Sequence, residues 1–388
     1  MKTGNLRHIL FALLVLISTA SLRANDATAV AAPPASGPSA AAALEPFVQS
    51  HSLAGAVTLV ADKDKVISLE TVGWADVAAK RPMTPDTLFW IASQSKPITA
   101  TALMILVDEG KVNIDDPVEK YLPEFKGQRL AGGGEPKHPI TVRNVLSHTS
   151  GLPFKSGIEN PTLDQLPLAE RVRSYATTPL DFEPDSKWNY SNAGINTAGR
   201  IIEVVSGMPY ETFLDTRLFG PLGMKDTTFW PSSEQIARLA KPYKPNADKN
   251  DLEEITIGQL KYPLDDHAGR QPMPAGGLFS TAGDLAKFCQ MLLNGGEYQG
   301  KRYLSEAAIK QMTSKQTGDL PNEYGLGWST GGGGFGHGGA FATDMSIDPK
   351  RGLITIWLIQ HAGFPGNGQQ AHGTFKHVAE EQLAASKK

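Results

Sequence analysis

Apolar residues along this chain fall into blocks whose period changes from strand-like to helical and back again. Early on, Gly55-Ala56-Val57-Thr58-Leu59-Val60 and Val66-Ile67-Ser68-Leu69-Glu70-Thr71-Val72 are short runs rich in β-branched residues. The polar turn Asp62-Lys63-Asp64-Lys65 between them predicts a hairpin. A similar pair, 342–347 and 353–359, flanks Asp348-Pro349-Lys350-Arg351-Gly352 near the other end, and an amphipathic helix is predicted over about 370–385. The middle reads differently. Helices are predicted over 97–108, 192–205 and 281–293, each ended by glycine at Gly110, Gly207 and Gly295-Gly296. Strands at both ends with helices and long loops between predict an α+β chain, its sheet closed by the two termini and its mainly helical region inserted between them.

The start of the chain stands apart. Lys2 and Arg7 precede the apolar run 9–17, and Ser18-Thr19-Ala20 follows, the pattern of a secretory signal peptide over 1–24. Export to the periplasm or the medium is therefore expected. Residues 25–43 are rich in Ala, Pro and Ser and predict a flexible segment, leaving 44–388 as one folded domain. The lone cysteine, Cys289, excludes an internal disulfide, and its apolar neighbours predict a buried thiol.

Composition removes several function classes. With 388 residues and 40% of them apolar, the chain can build a large core, yet no run after the N-terminus approaches the roughly 20 residues of a membrane span. A net charge of −3 and the absence of a basic stripe argue against nucleic acid. No obligate protein partner is evident. None of the nine His forms a His-x-x-x-His or Glu-flanked pair, so no metal is expected. The run Gly331-Gly332-Gly333-Gly334 has neither a following Lys-Ser/Thr nor a strand–helix context, so no nucleotide cofactor is expected.

Three short stretches carry candidate chemistry. In Ser93-Gln94-Ser95-Lys96 a helix beginning at the serine would place hydroxyl and amine on one face. A serine needs such a base, and free N–H groups at a helix start suit a developing oxyanion. Pro97 fits the first turn, where its missing N–H costs little. In Tyr190-Ser191-Asn192 the phenol could serve as a base only if cations lowered its pKa, which Lys96 could do. The plainer alternative is a buried tyrosine beside a helix-capping Asn192. In Gly336-His337-Gly338-Gly339-Ala340, glycine would let a substrate lie along a strand edge, the alternative being a flexible turn with a surface histidine.

These elements, in this order, resemble the serine β-lactamase and penicillin-binding-protein superfamily, and more closely its class C β-lactamase-related branch, with esterase and D-peptidase members. The flanks 89–100, 146–153, 221–227, 275–285 and 324–328 are similar to that branch too, so the resemblance spans roughly 45–380. It implies a β-lactamase/transpeptidase-like fold and a serine hydrolase acting on a small ester, amide or peptide through an acyl-enzyme. It implies Ser93 as nucleophile, Lys96 and Tyr190 sharing base and acid duties, and backbone N–H groups of Ser93 and Ala340 as oxyanion hole. Asn192 and the triplet His337-Gly338-Gly339 would meet substrate. His148 is read as a structural loop residue. Where β-lactamases of the branch carry Lys-Thr-Gly this chain has His337-Gly338-Gly339, which favours esterase or peptidase activity over antibiotic hydrolysis. Pro184-Asp185 stands where relatives often have Pro-Gly, a change expected to alter only a turn. A true β-lactamase and a non-catalytic cell-wall-peptide-binding domain remain the alternatives.

Overall fold

The computed structural model describes residue 1 and residues 37–388; residues 2–36, which hold the expected signal peptide and the first part of the expected flexible segment, lie outside it. The helices that build the site region and its support are α1 (Ala40–Gln49), α2 (Ser95–Asp108), α3 (Val142–Ser147), α4 (Leu168–Thr177), α5 (Asn192–Ser206), α6 (Ala282–Leu293) and α7 (Ala371–Ser386). Strands β1 (Gly55–Ala61), β2 (Val66–Asp76) and β3 (Arg81–Pro82) come early; β4 (Ser329–Gly331), β5 (Gly334–Gly338), β6 (Asp344–Asp348) and β7 (Leu353–Leu358) come late. They form one antiparallel seven-stranded sheet in the order β4-β5-β6-β7-β1-β2-β3. The early and late hairpins meet through β1 and β7, with Val57 opposite Leu358 and Leu59 opposite Ile356. The expected closure of the sheet by both ends of the chain is what is found.

Both faces of this sheet are covered, which explains why β1 and β7 are continuous apolar runs rather than alternating ones. Val57, Leu59 and Ala61 of β1 point into the large core shared with α2, α5 and α6. Ala56 and Val60 point the other way, against Leu44 and Phe47 of α1 and Phe375 and Ala379 of α7. Helix α2 is buried on nearly every side and forms the axis of the helical region. Cys289 of α6 is fully buried and its thiol pushed well up by burial, as a core residue should be.

The expected flexible segment is shorter than its composition suggests. Ser39 caps α1, and Ala40 is buried. The Glu70 carboxylate of β2 accepts from the Ala40 and Ala41 N–H groups, both at 3.1 Å, so residues 40–43 belong to the folded body. A negative charge at a helix start satisfies donors that would otherwise lack partners. An Ala- and Pro-rich composition hides this, because the anchoring residue lies on another element.

Close approach between helices is bought by glycine in α5. A Cβ added at Gly194 would fall 2.6 Å from the Val145 carbonyl of α3. Gly194→Ala gains about 1 kcal/mol of helix propensity but must push two backbones apart, which costs about 1–3 kcal/mol. A net fall in thermal midpoint is expected by calorimetry, since a backbone oxygen cannot swing aside as a side chain would.

Candidate active site

The nucleophile turn follows from strand pairing. Phe89 and Trp90 pair antiparallel with Ser280 and Phe279, and the Ile91 N–H donates to the Leu278 carbonyl at 3.0 Å. Ala92 then takes φ +46°, a conformation costly for a residue with a side chain, and a single 3₁₀ turn, Ala92–Gln94, leads into α2. The helix therefore begins at Ser95, two residues after the serine, and Pro97 does sit in its first turn. Gly339 after β5 comes against this turn: a Cβ there would lie 2.2 Å from Thr343 Oγ1 and 2.6 Å from the Ile91 carbonyl. Glycine is what lets the strand end and the serine turn meet.

Lys96 Nζ lies 3.0 Å from Ser93 Oγ and donates to the Ala275 carbonyl at 2.7 Å. It also sits 4.6 Å from the centre of the Tyr190 ring. The lysine is fully buried, and loss of hydration holds its amine well below the ordinary lysine pKa. Tyr190 goes the other way: burial pushes its phenol up to about 12, against an opposing pull from the Ser93 hydroxyl. The expectation of a tyrosine made acidic by Lys96 is thus not met. The phenol is raised by its own loss of hydration, and no pull from Lys96 offsets it.

Asn192 is not a helix cap. Ser191 takes that place, its Oγ accepting from the Gly194 N–H at 3.0 Å and donating to the Pro153 carbonyl at 2.7 Å. Asn192 is left as the first helical residue with its side chain on the cleft. His148 ends α3 with φ +63°, and its Nδ1 accepts from the Ser191 N–H at 3.2 Å. Its ring is 4.6 Å from that of Tyr190 and 4.7 Å from that of Tyr324. Burial first, then Lys96 and His337, hold it far below the usual histidine range, so it is a neutral backing for Tyr190. Asp185 holds its turn at φ +64° by accepting from Asn144 Nδ2 at 2.6 Å and Thr149 Oγ1 at 3.2 Å.

Ser93, Tyr190, Asn192, Gly338, Gly339 and Ala340 line one cleft of about 320 Å³. His337 does not. It is 6% exposed; Nδ1 donates to the Gly338 carbonyl at 2.7 Å, and Nε2 accepts from Tyr324 Oη at 3.0 Å. Burial and the nearby Lys96 push it down to about 4. Both ring nitrogens are engaged by protein partners at the end of β5. The cleft wall is completed by residues that no motif marks, among them Trp90, Phe154, Gln259, Met273 and Ala275. Trp90 and Ala275 lie in stretches similar to the class C branch, 89–100 and 275–285, which was the available sign. No charged side chain among the described residues lines the cleft. Among the described residues no group of three His, Cys, Asp or Glu is placed to hold a metal, and no helix is long and apolar enough to cross a membrane.

Comparison with known proteins identifies relatives of this chain. Rv1367c of Mycobacterium tuberculosis is 32% identical over 354 residues, covering 80% of this chain and 86% of its own. Esterase EstB of Burkholderia gladioli is 37% identical over 214 residues, covering 52% of this chain and 53% of its own. Among solved structures, EstCE1, a hydrolase with promiscuous acyltransferase activity, superposes with a TM-score of 0.74 at 24% identity, over 88% of this chain and 97% of its own. The Beta-lactamase family model matches residues 40–377, and with a buried amine beside a serine at the head of the cleft, the chain belongs to the beta-lactamase family of serine hydrolases.

Proposed function

We propose that the protein is an exported carboxylesterase-like hydrolase that forms an acyl-enzyme on Ser93. The observation that carries this reading is the dry Lys96 amine 3.0 Å from Ser93 Oγ, at the head of a cleft without charged side chains. An amine whose pKa is lowered by burial gives up its proton more readily than a solvated lysine, and in its neutral form it can take the serine proton as Oγ attacks an ester carbonyl. The ammonium that results is met by the Ala275 carbonyl and the Tyr190 ring face. The amides of Ser93 and Ala340 line the cleft and engage no other acceptor among the described residues, which suits them to the oxyanion. Tyr190, kept protonated by burial, is suited to hand a proton to the leaving group, and Asn192 to hold the substrate carbonyl. The Lys96 ammonium then returns its proton to the Tyr190 phenolate. Water repeats the cycle on the acyl-enzyme, Lys96 taking its proton and Tyr190 returning one to Ser93 Oγ as the acid leaves. The start of the chain, with Lys2, Arg7 and the apolar run 9–17, supports export.

A D-peptide or a β-lactam carries a carboxylate that asks for a cation, and among the described residues the cleft wall offers none. Esters of neutral acids fit better. An idle binding domain is disfavoured by the short reach between Ser93, Lys96 and Tyr190. With protein lacking residues 1–24, p-nitrophenyl acetate is expected to show kcat/KM on the order of 100-fold above nitrocefin and a D-Ala-D-Ala peptide. Nitrocefin turnover faster than that of the ester would reverse the assignment.

A further inference from the structure

Two buried side chains grip a single peptide group beside the nucleophile. Thr99 Oγ1, three residues beyond Lys96 on α2, lies 2.8 Å from the Pro274 carbonyl oxygen. Asn196 Oδ1, one turn beyond Asn192 on α5, accepts from the Ala275 N–H at 3.1 Å. Carbonyl and N–H are the two ends of one peptide bond, so both its position and its tilt are set. The next carbonyl along, that of Ala275, is the acceptor for Lys96 Nζ.

Each grip is itself anchored. Tyr210 Oη is 2.6 Å from Thr99 Oγ1 and can donate to it while Thr99 donates to Pro274, the Ser95 carbonyl at 3.0 Å being the more distant acceptor. Asn196 Nδ2 donates to Tyr175 Oη at 3.0 Å, and Tyr175 donates to Glu159 Oε1 at 2.8 Å. Thr99, Asn196, Tyr175 and Tyr210 are fully buried, so a lost partner cannot be replaced by bulk water. Gly199 allows the approach: a Cβ there would lie 2.4 Å from Pro274 Cγ. Neither Thr99 nor Asn196 lines the cleft, so neither touches substrate.

We propose that Thr99 and Asn196 are positioning residues for Lys96, clamping the Pro274–Ala275 peptide so that the Ala275 carbonyl aims the amine at Ser93. The inference rests on the reading of Ser93 as nucleophile and Lys96 as base. Thr99→Val keeps the shape and removes the hydroxyl, while Thr99→Ser restores it. On p-nitrophenyl acetate, Thr99→Val is expected to lose about 10–100-fold in kcat with KM within about twofold, the cost of a reacting group displaced by about 1 Å. The acid limb of kcat/KM should move to lower pH, because a carbonyl beside the amine favours its charged form. Thr99→Ser should recover most of both. Asn196→Ala should repeat the pattern and decides the matter if Thr99→Val does not fold. The double variant should lose less than the product of the single losses, since both act through one peptide. Rates are taken per folded molecule, with the folded fraction from circular dichroism. Wild-type kcat with an unmoved acid limb in both single variants, or losses that multiply in the double, overturn the clamp. Ester turnover that survives Ser93→Ala overturns the underlying reading instead.

Discussion

Ser93→Ala is expected to remove ester turnover by at least about 10⁴-fold in kcat while leaving the thermal midpoint nearly unchanged. The size follows from what is lost: the atom that becomes acylated, not a group that assists it. Ser95, two residues on, cannot stand in. Its Oγ donates to the Ala92 carbonyl at 2.7 Å and accepts from the Leu278 N–H at 3.2 Å, and the residue is fully buried. Ser93 Oγ, by contrast, meets Lys96 Nζ and opens on the cleft. Stability should hold because Ser93 is only half-buried and its removal leaves Lys96 still bonded to Ala275. The check is paired. Stopped-assay rates give the loss, and intact-mass spectrometry after a fluorophosphonate probe should show one adduct on the native protein and none on Ser93→Ala. A second labelled serine with retained turnover would displace Ser93 from its role.

What could be read in the residues and what could not divides along a physical line. Ser93, Lys96, Tyr190, Asn192 and 338–340 were legible because each lies in a short stretch whose chemistry needs neighbours in the chain. The sheet was legible in outline because strands buried on both faces leave long apolar runs, as β1 and β7 do. The direction of the Tyr190 shift was not. It depends on how much water packing removes from the phenol itself, and that is set by His148 and Phe154, whose rings lie 4.6 and 6.5 Å from its own and which are far away in sequence. The partners of His337 were hidden for a related reason: Tyr324 lies in a stretch with no chemical motif, and only β5 packing shows both ring nitrogens engaged. Phe154, Gln259 and Met273 come from three separate segments, so no spacing could have joined them. Ser39 and Ala40 joined the fold through Glu70, again a partner on another element.

Lys96→Met should separate catalysis from stability in opposite directions. Loss of a general base within 3.0 Å of the nucleophile is expected to lower kcat by about 10³–10⁴-fold. Lys96→Arg should be as inactive, because a guanidinium keeps its charge but cannot give up a proton. That result would assign the lysine to proton transfer rather than to charge alone. The native acid limb of kcat/KM reports the loss of neutral Lys96 as pH falls through its lowered pKa, and in Lys96→Met this limb should vanish. No alkaline limb from Tyr190 is expected below about pH 10, since its phenol is held up to about 12. Stability runs the other way. Because burial lowers the folded-state pKa of Lys96, the unfolded chain binds more protons between that value and the ordinary lysine pKa. Folded stability therefore rises with pH across this window, and at pH 7 the buried amine is a burden that methionine removes. Lys96→Met should melt at a higher temperature than the native protein at pH 7, with the gap narrowing as the pH approaches 10. A dead variant that is also less stable at pH 7 would mean that Lys96 is held charged by its surroundings, and the base would have to be sought in Tyr190.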